Sequence, residues 1–369
     1  MKNIFLTDGQ EYELESLEPV LDQEFVALHS AFLGHTTYRW GSLVQAAHAY
    51  FSSKGTSSRN HDQFFNNFTI LWRRMLATGQ FDRAERIWRM SCEIAWDWER
   101  NNNGRTIHKG TPYYFWGMTA ILRGDIDRGY ALVHQAIEED VRESQQEFPN
   151  TPAISLATMN AEKQEQAFRS WVAKKAEVLN RHLAKYRTSA TSSLDFNAFN
   201  SRFLQKPPNR YSVYSLSYVL ARLVKLLQIP RQALHSDFAA QLRMDLTFRL
   251  LQVVESSLKA KNTQGRTFRA QAVFLAKKAG LLASDKDLDQ VNSECKRDFE
   301  KALCTLLDGT FVLSSGSYVT GLDRDLAVSY ACRNYGAHQL MPVQTVLLRS
   351  EEIQQAAFNI LFLTVETVY

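Results

Sequence analysis

The run Phe64-Phe65-Asn66-Asn67-Phe68-Thr69-Ile70-Leu71-Trp72-Arg73-Arg74-Met75 decides the fold class. Phe64, Phe68, Leu71, Trp72 and Met75 recur at steps of three and four, the period of one helix face. Phe168, Trp171, Val172, Ala176 and Leu179 repeat the pattern further along. Clean alternation with a period of two is nearly absent. The one strand-like patch is 310–320, around Ser314-Ser315-Gly316-Ser317, which reads as a short hairpin or a loop. Only 8 Pro and 16 Gly punctuate 369 residues, below the usual shares of about 5% and 7%. Long helices follow, and the expected class is all-α.

Composition narrows the field. Hydrophobic residues make up 45% and charged ones 22%, with 43 Lys+Arg against 39 Asp+Glu, a net charge of +4. Such a chain is neither disordered nor collagen-like. Its length suggests two domains at about 150 residues each. Cys92, Cys295, Cys304 and Cys332 form no CxxC pair, so four reduced thiols in a cytoplasmic protein are expected. No apolar stretch approaches the about 18 residues of a membrane span. Asp8, Glu11, Glu13 and Glu15 stand where a secretory leader would be apolar, so none is expected.

The first 190 residues contain a weak repeat. Gly79-Gln80-Phe81-Asp82-Arg83-Ala84, with Trp88 four residues on, is echoed by Gly124-Asp125-Ile126-Asp127-Arg128-Gly129, with Val133 four on. Gly117 and Ala136 complete the second copy. This resembles the tetratricopeptide repeat, in which a small residue lets two antiparallel helices approach closely. The offset is 45 residues instead of the usual 34 or so, and Asn101-Asn102-Asn103-Gly104 reads as a loop insertion. The resemblance implies a sensor or scaffold over 1–190, binding a protein or small-molecule partner. Two ordinary hairpins with glycine turns are the alternative. Arg105, His108 and Lys109, before Pro112, form a small cationic group that is either a ligand site or a loop.

A linker is expected at 191–210. The stretch Thr188-Ser189-Ala190-Thr191-Ser192-Ser193 is small and polar, and Lys206-Pro207-Pro208-Asn209 breaks helices. Between Lys163 and Arg210 there are ten basic and three acidic residues; between Gln241 and Lys278, eight and two. These zones suggest a polyanionic partner, or solvated helix faces. Residues 211–369 read as a helical bundle, with helices at 211–228, 232–261, 267–279, 288–307, 322–340 and 350–367. Asp323 and Ser350 are the expected N-caps, and Pro342 ends the fifth helix.

Standard metal, phosphate and nucleophile motifs are missing. His29, His35, His61, His108, His134, His182 and His235 are scattered, so no metal site and no cofactor are expected. One segment stands apart: Tyr330-Ala331-Cys332-Arg333-Asn334-Tyr335-Gly336-Ala337-His338. Its Arg-Asn-x3-His resembles the HEPN family (higher eukaryotes and prokaryotes nucleotide-binding). Ribonuclease members of that family carry Arg-polar-x3-His on a late helix of a small helical bundle.

The residue types suit RNA cleavage. RNA already holds its nucleophile, the 2′-OH, so cleavage needs a proton carrier near neutrality, which His338 supplies. It also needs a permanent bidentate cation on the phosphate, which Arg333 supplies. Asn334 shares the His338 face at i, i+4 and can orient the imidazole or a phosphate oxygen. On an ideal helix Arg333 stands about 140° round from His338, so it would reach the site from an edge or across a dimer seam. The resemblance implies a homodimer whose paired motifs line one cleft, single-stranded RNA as substrate, no metal, and a role in stress response or toxin-type antiviral defence. A non-catalytic scaffold, with a bundle that dimerises or binds nucleotide, is the alternative. A third reading is a toxin-like partner of a nucleotidyltransferase, but Tyr335 lies inside the motif instead of after the histidine.

Overall fold

In the computed structural model the 64–75 run is buried as its spacing requires, but it forms two helices. The structure describes residues 4–7, 10–54, 57–206, 209–230, 232–281, 285–336 and 344–369. Contacts divide the chain into two compact units, Met1–Ile154 and Ser155–Tyr369. Both are predominantly helical. No helix among the described residues is long and apolar enough to cross a membrane.

The first unit opens with an antiparallel pair of short strands, β1 (Ile4–Thr7) and β2 (Gln10–Glu13), in register Ile4↔Glu13 to Thr7↔Gln10. Each has four residues, too few for an alternating pattern to stand out. Seven helices follow: α1 (Pro19–Leu33), α2 (Trp40–Lys54), α3 (Ser58–Asn66), α4 (Thr69–Ala77), α5 (Phe81–Asn101), α6 (Gly110–Arg123) and α7 (Ile126–Ser144). Asn67 separates α3 from α4. Its carboxamide accepts from Glu15 N at 2.8 Å and donates to Glu15 O at 2.9 Å, while its carbonyl lies 2.9 Å from His29 Nε2. The two helices meet at this anchored residue. Phe25, Phe51, Phe64, Phe68, Trp72 and Trp88 form the core, each at most 1% exposed. Trp88 stacks on Phe115 at 5.1 Å.

The glycine turns of the repeat are matched. Gly79 (φ +70°) joins α4 to α5, and Gly124 (φ +105°) joins α6 to α7. In both copies the next helix starts two residues later. A Cβ on Gly117 would lie 2.7 Å from the Gly129 carbonyl, and one on Gly129 would lie 2.5 Å from Ile121 Cγ1. The two backbones therefore touch, and only glycine fits. Gly117→Ala is expected to destabilise the chain by about 1–3 kcal/mol, read from the urea midpoint. An unchanged midpoint would show that α6 and α7 separate at no cost.

The second unit contains α9 (Gln166–Ala190), α10 (Phe196–Phe199), α11 (Arg210–Leu226), α12 (Asp237–Lys261), α13 (Phe268–Ala279), α14 (Asp285–Arg297), α15 (Phe299–Leu307), α16 (Gly321–Ala331), α17 (Gln344–Leu348) and α18 (Ser350–Val368); α8 (Pro152–Ala157) straddles the division. α18 is the central helix, with Ile353, Ala357, Phe358, Ile360, Leu361 and Phe362 all fully buried, and it packs on α9, α12, α13 and α16.

The division lies upstream of the linker expected at 191–210. Helix α9, placed by the sequence in the first 190 residues, is bonded into the second unit. Tyr186 donates to Glu366 at 2.5 Å and Ser192 to Glu366 at 2.7 Å. His182 lies 2.7 Å from Gln355 Oε1 and stacks on Phe358 at 4.0 Å. The polar run 188–193 is the end of this helix, where Thr191 turns the chain at φ +52°. Pro207 and Pro208 lie outside the described residues.

Three helix expectations are corrected. The 288–307 run is two helices, because Asp298 leaves helical geometry (φ −157°) and its carboxylate caps α15 at Lys301 N, 3.0 Å away. The 322–340 run leaves α-geometry after Ala331, as α16 gives way to a π-helical turn, Cys332–Gly336; Leu340 and Pro342 lie outside the described residues. Thr320 and Arg349 hold the N-cap positions expected for Asp323 and Ser350. The 310–320 patch is a tight hairpin closed by a bridge between Val312 and Tyr318.

Candidate functional site

Arg333 and Asn334 sit on the π-helical turn at the end of α16. α16 is packed into the core beneath them. Leu326, Val328, Tyr330 and Ala331 are at most 2% exposed. Asp325 accepts from Asn359 of α18 at 2.6 Å and from Arg324 at 2.8 Å. The Arg333 guanidinium, 28% exposed, reaches α12, where Nε and Nη2 donate to one oxygen of Glu255 at 3.1 and 2.9 Å. Glu255 also accepts from Lys259 at 2.6 Å. Asn334 is half-buried. His338 lies outside the described residues, so the structure places two of the three expected site residues.

The π turn changes the geometry reckoned from the sequence. Its hydrogen bonds close at i→i+5, against i→i+4 in an α-helix. The chain then advances round the axis by less per residue, so the 140° offset of a straight α-helix does not carry over through Gly336. Turns of this kind recur at functional sites.

No family model matches this chain. Nor does any curated protein or solved structure.

The cationic group Arg105, His108 and Lys109 does not act as one cluster. Arg105 is exposed, whereas His108 and Lys109 are buried at the start of α6. His108 Nδ1 lies 3.3 Å from Asp62 of α3, and Nε2 lies 3.2 Å from Asp140 of α7. Its backbone N–H donates to His61 Nδ1 at 2.9 Å. Burial disfavours the imidazolium, but the bonds from Asp140 and Asp62 outweigh it and push the His108 pKa up to about 10. Both ring nitrogens then donate. Lys109 Nζ bonds Glu99 and the Ile107 carbonyl, and its backbone N–H donates to Glu139 at 3.0 Å. Acids thus crowd the N-terminus of α6, where the helix dipole favours them. Asp62, Glu99, Glu139 and Asp140 were missed in the sequence because they come from three different helices. Among the described residues no group of His, Cys, Asp or Glu is arranged to hold a metal ion.

Two of the ten basic residues of the 163–210 zone are not on a solvated face. Arg210 is 7% exposed. Lys175 is fully buried on α9, donating to the Leu156 carbonyl at 2.8 Å and to Ser217 at 2.7 Å, and burial pulls its pKa down to about 7. Arg128 and His134 lie on α7, paired with Glu85 and Glu138. Together with Asp82, Arg89 and Trp116, Arg128 and Glu85 line a groove of about 520 Å³.

Proposed function

We propose that the second unit is a metal-independent endoribonuclease of the HEPN kind, working in the cytoplasm as a homodimer on single-stranded RNA. The observation that carries the reading is that Arg333 and Asn334 of Arg-Asn-x3-His stand on a π-helical turn at the end of a buried helix, with the arginine's guanidinium fork partly exposed. Glu255 orients that fork through one oxygen until a phosphate takes its place. His338 removes the 2′-OH proton; the 2′-oxygen attacks phosphorus while Arg333 holds the non-bridging oxygens. The bond to the 5′-oxygen breaks, and that oxygen takes a proton. The products are a 2′,3′-cyclic phosphate and a 5′-OH. The matched hairpins of the first unit and their groove support a sensing role there, and a stress or antiviral-defence setting follows from the family resemblance.

The test is digestion of single-stranded RNA by the full chain in EDTA, with the new ends characterised. Cyclic-phosphate and 5′-OH ends are expected. No cleavage, or ends bearing 3′-OH, would overturn the reading. The Arg333–Glu255 ion pair favours a second reading, a scaffold that binds RNA without turnover; it predicts a bound and intact oligonucleotide.

A further inference from the structure

The outward face of α11 carries chemistry that the cleavage centre does not use. Tyr211, Tyr214, Tyr218, Arg222 and Lys225 are spaced three, four, four and three residues apart and fall within about 80° of arc. All five are partly or largely exposed, and Tyr211 reaches 57%. Helix α11 contains no Asp or Glu. Beside it, α12 turns Asp245, Arg249, Gln252 and Ser256 to solvent. Between the two helices lies a groove of about 370 Å³, lined by the three tyrosines, Arg249, Gln252 and serine hydroxyls. Arg249 lies over the Tyr218 ring at 5.3 Å and Arg210 over Tyr211 at 4.9 Å. Ser256, on the groove wall, is next in sequence to Glu255, the partner of Arg333.

Aromatic rings interleaved with cations, on an acid-free helix, are what a single strand of nucleic acid needs. Bases stack on rings regardless of sequence, and cations follow the backbone. The serine hydroxyls and Gln252 can hydrogen-bond sugar and base edges. An aliphatic protein partner would find only Val253, which is itself buried. We infer that the groove between α11 and α12 is a track for single-stranded RNA, feeding the turn that holds Arg333. The choice of RNA over DNA rests on the ribonuclease reading; the stacking track does not.

The test is fluorescence anisotropy of the full chain with a short, fluorescein-labelled, 2′-O-methyl single strand, which cannot be cut. Tyr214→Ala and Tyr218→Ala should each weaken binding by about 5- to 150-fold. Tyr218→Phe should retain it, which separates a lost ring from a lost fold. Arg249→Ala should lower the slope of log K against log salt by about 0.7. The same sequence as a duplex should bind more weakly. Unchanged affinity in both alanine variants would overturn the track. So would a change of oligomeric state in the ultracentrifuge with affinity intact, since the face would then join copies of the chain. Arg333→Ala should slow cleavage about 10²- to 10³-fold while weakening probe binding less than either tyrosine-to-alanine variant. If wild type binds the probe through the tyrosines yet never cleaves RNA, the track stands and the nuclease reading falls.

Discussion

His338→Ala is expected to slow cleavage of single-stranded RNA in EDTA by about 10²- to 10⁴-fold, the usual contribution of a positioned general acid or base. Arg333→Ala should cost about 10²- to 10³-fold, the loss on removing one stabiliser of transition-state charge. Arg333→Lys should recover little, because an ammonium cannot reproduce the planar fork that engages Glu255 and that bidentate binding of a phosphate would require. Asn334→Ala should fall between wild type and His338→Ala, as an orienting residue does. These rates are to be measured with protein purified identically and shown to melt as wild type does. Equal cleavage by wild type, Arg333→Ala and His338→Ala would remove the assignment of the site, whatever nuclease activity the preparation retained.

The largest effect on stability is expected at His108. Its imidazolium bridges Asp62 and Asp140, so His108→Ala leaves two carboxylates facing each other without the cation between them. Breaking a buried pair costs about 3–5 kcal/mol, and the lower end applies because the Asp62 side chain is 37% exposed. The pH dependence has a definite sign. The His108 pKa is raised in the folded chain from 6.5 to about 10. Its stabilisation is therefore fully present below about 6.5 and is lost as pH rises through 10. Urea midpoints of wild type and His108→Ala should differ most near pH 6 and converge toward pH 10. A gap that stays constant, or no gap at pH 6, would show that the imidazole carries no charge in this network.

Much of the helical class was legible because it depends on local periodicity. The faces around Phe64–Met75 and Phe168–Leu179 are buried, and the glycines of both hairpins were visible as turns. What could not be read were choices made by partners distant in sequence. The break falls at Asn67, whose carboxamide is bonded to Glu15 and whose backbone carbonyl faces His29. α9 joins the second unit through Glu366 and Gln355. Counting charge over 163–210 included Lys175, whose position on the helix turns it inward. For the candidate site, the residue types were legible at Arg333 and Asn334. The π turn that carries them, and Glu255 beneath, follow from packing that no short spacing encodes.

The bonds joining α9 to α18 span 173 to 180 residues of sequence. Closing so long a loop costs chain entropy before any packing repays it. The hairpins of the first unit, in contrast, meet their neighbours within a few dozen residues. The second unit should therefore fold more slowly than the first.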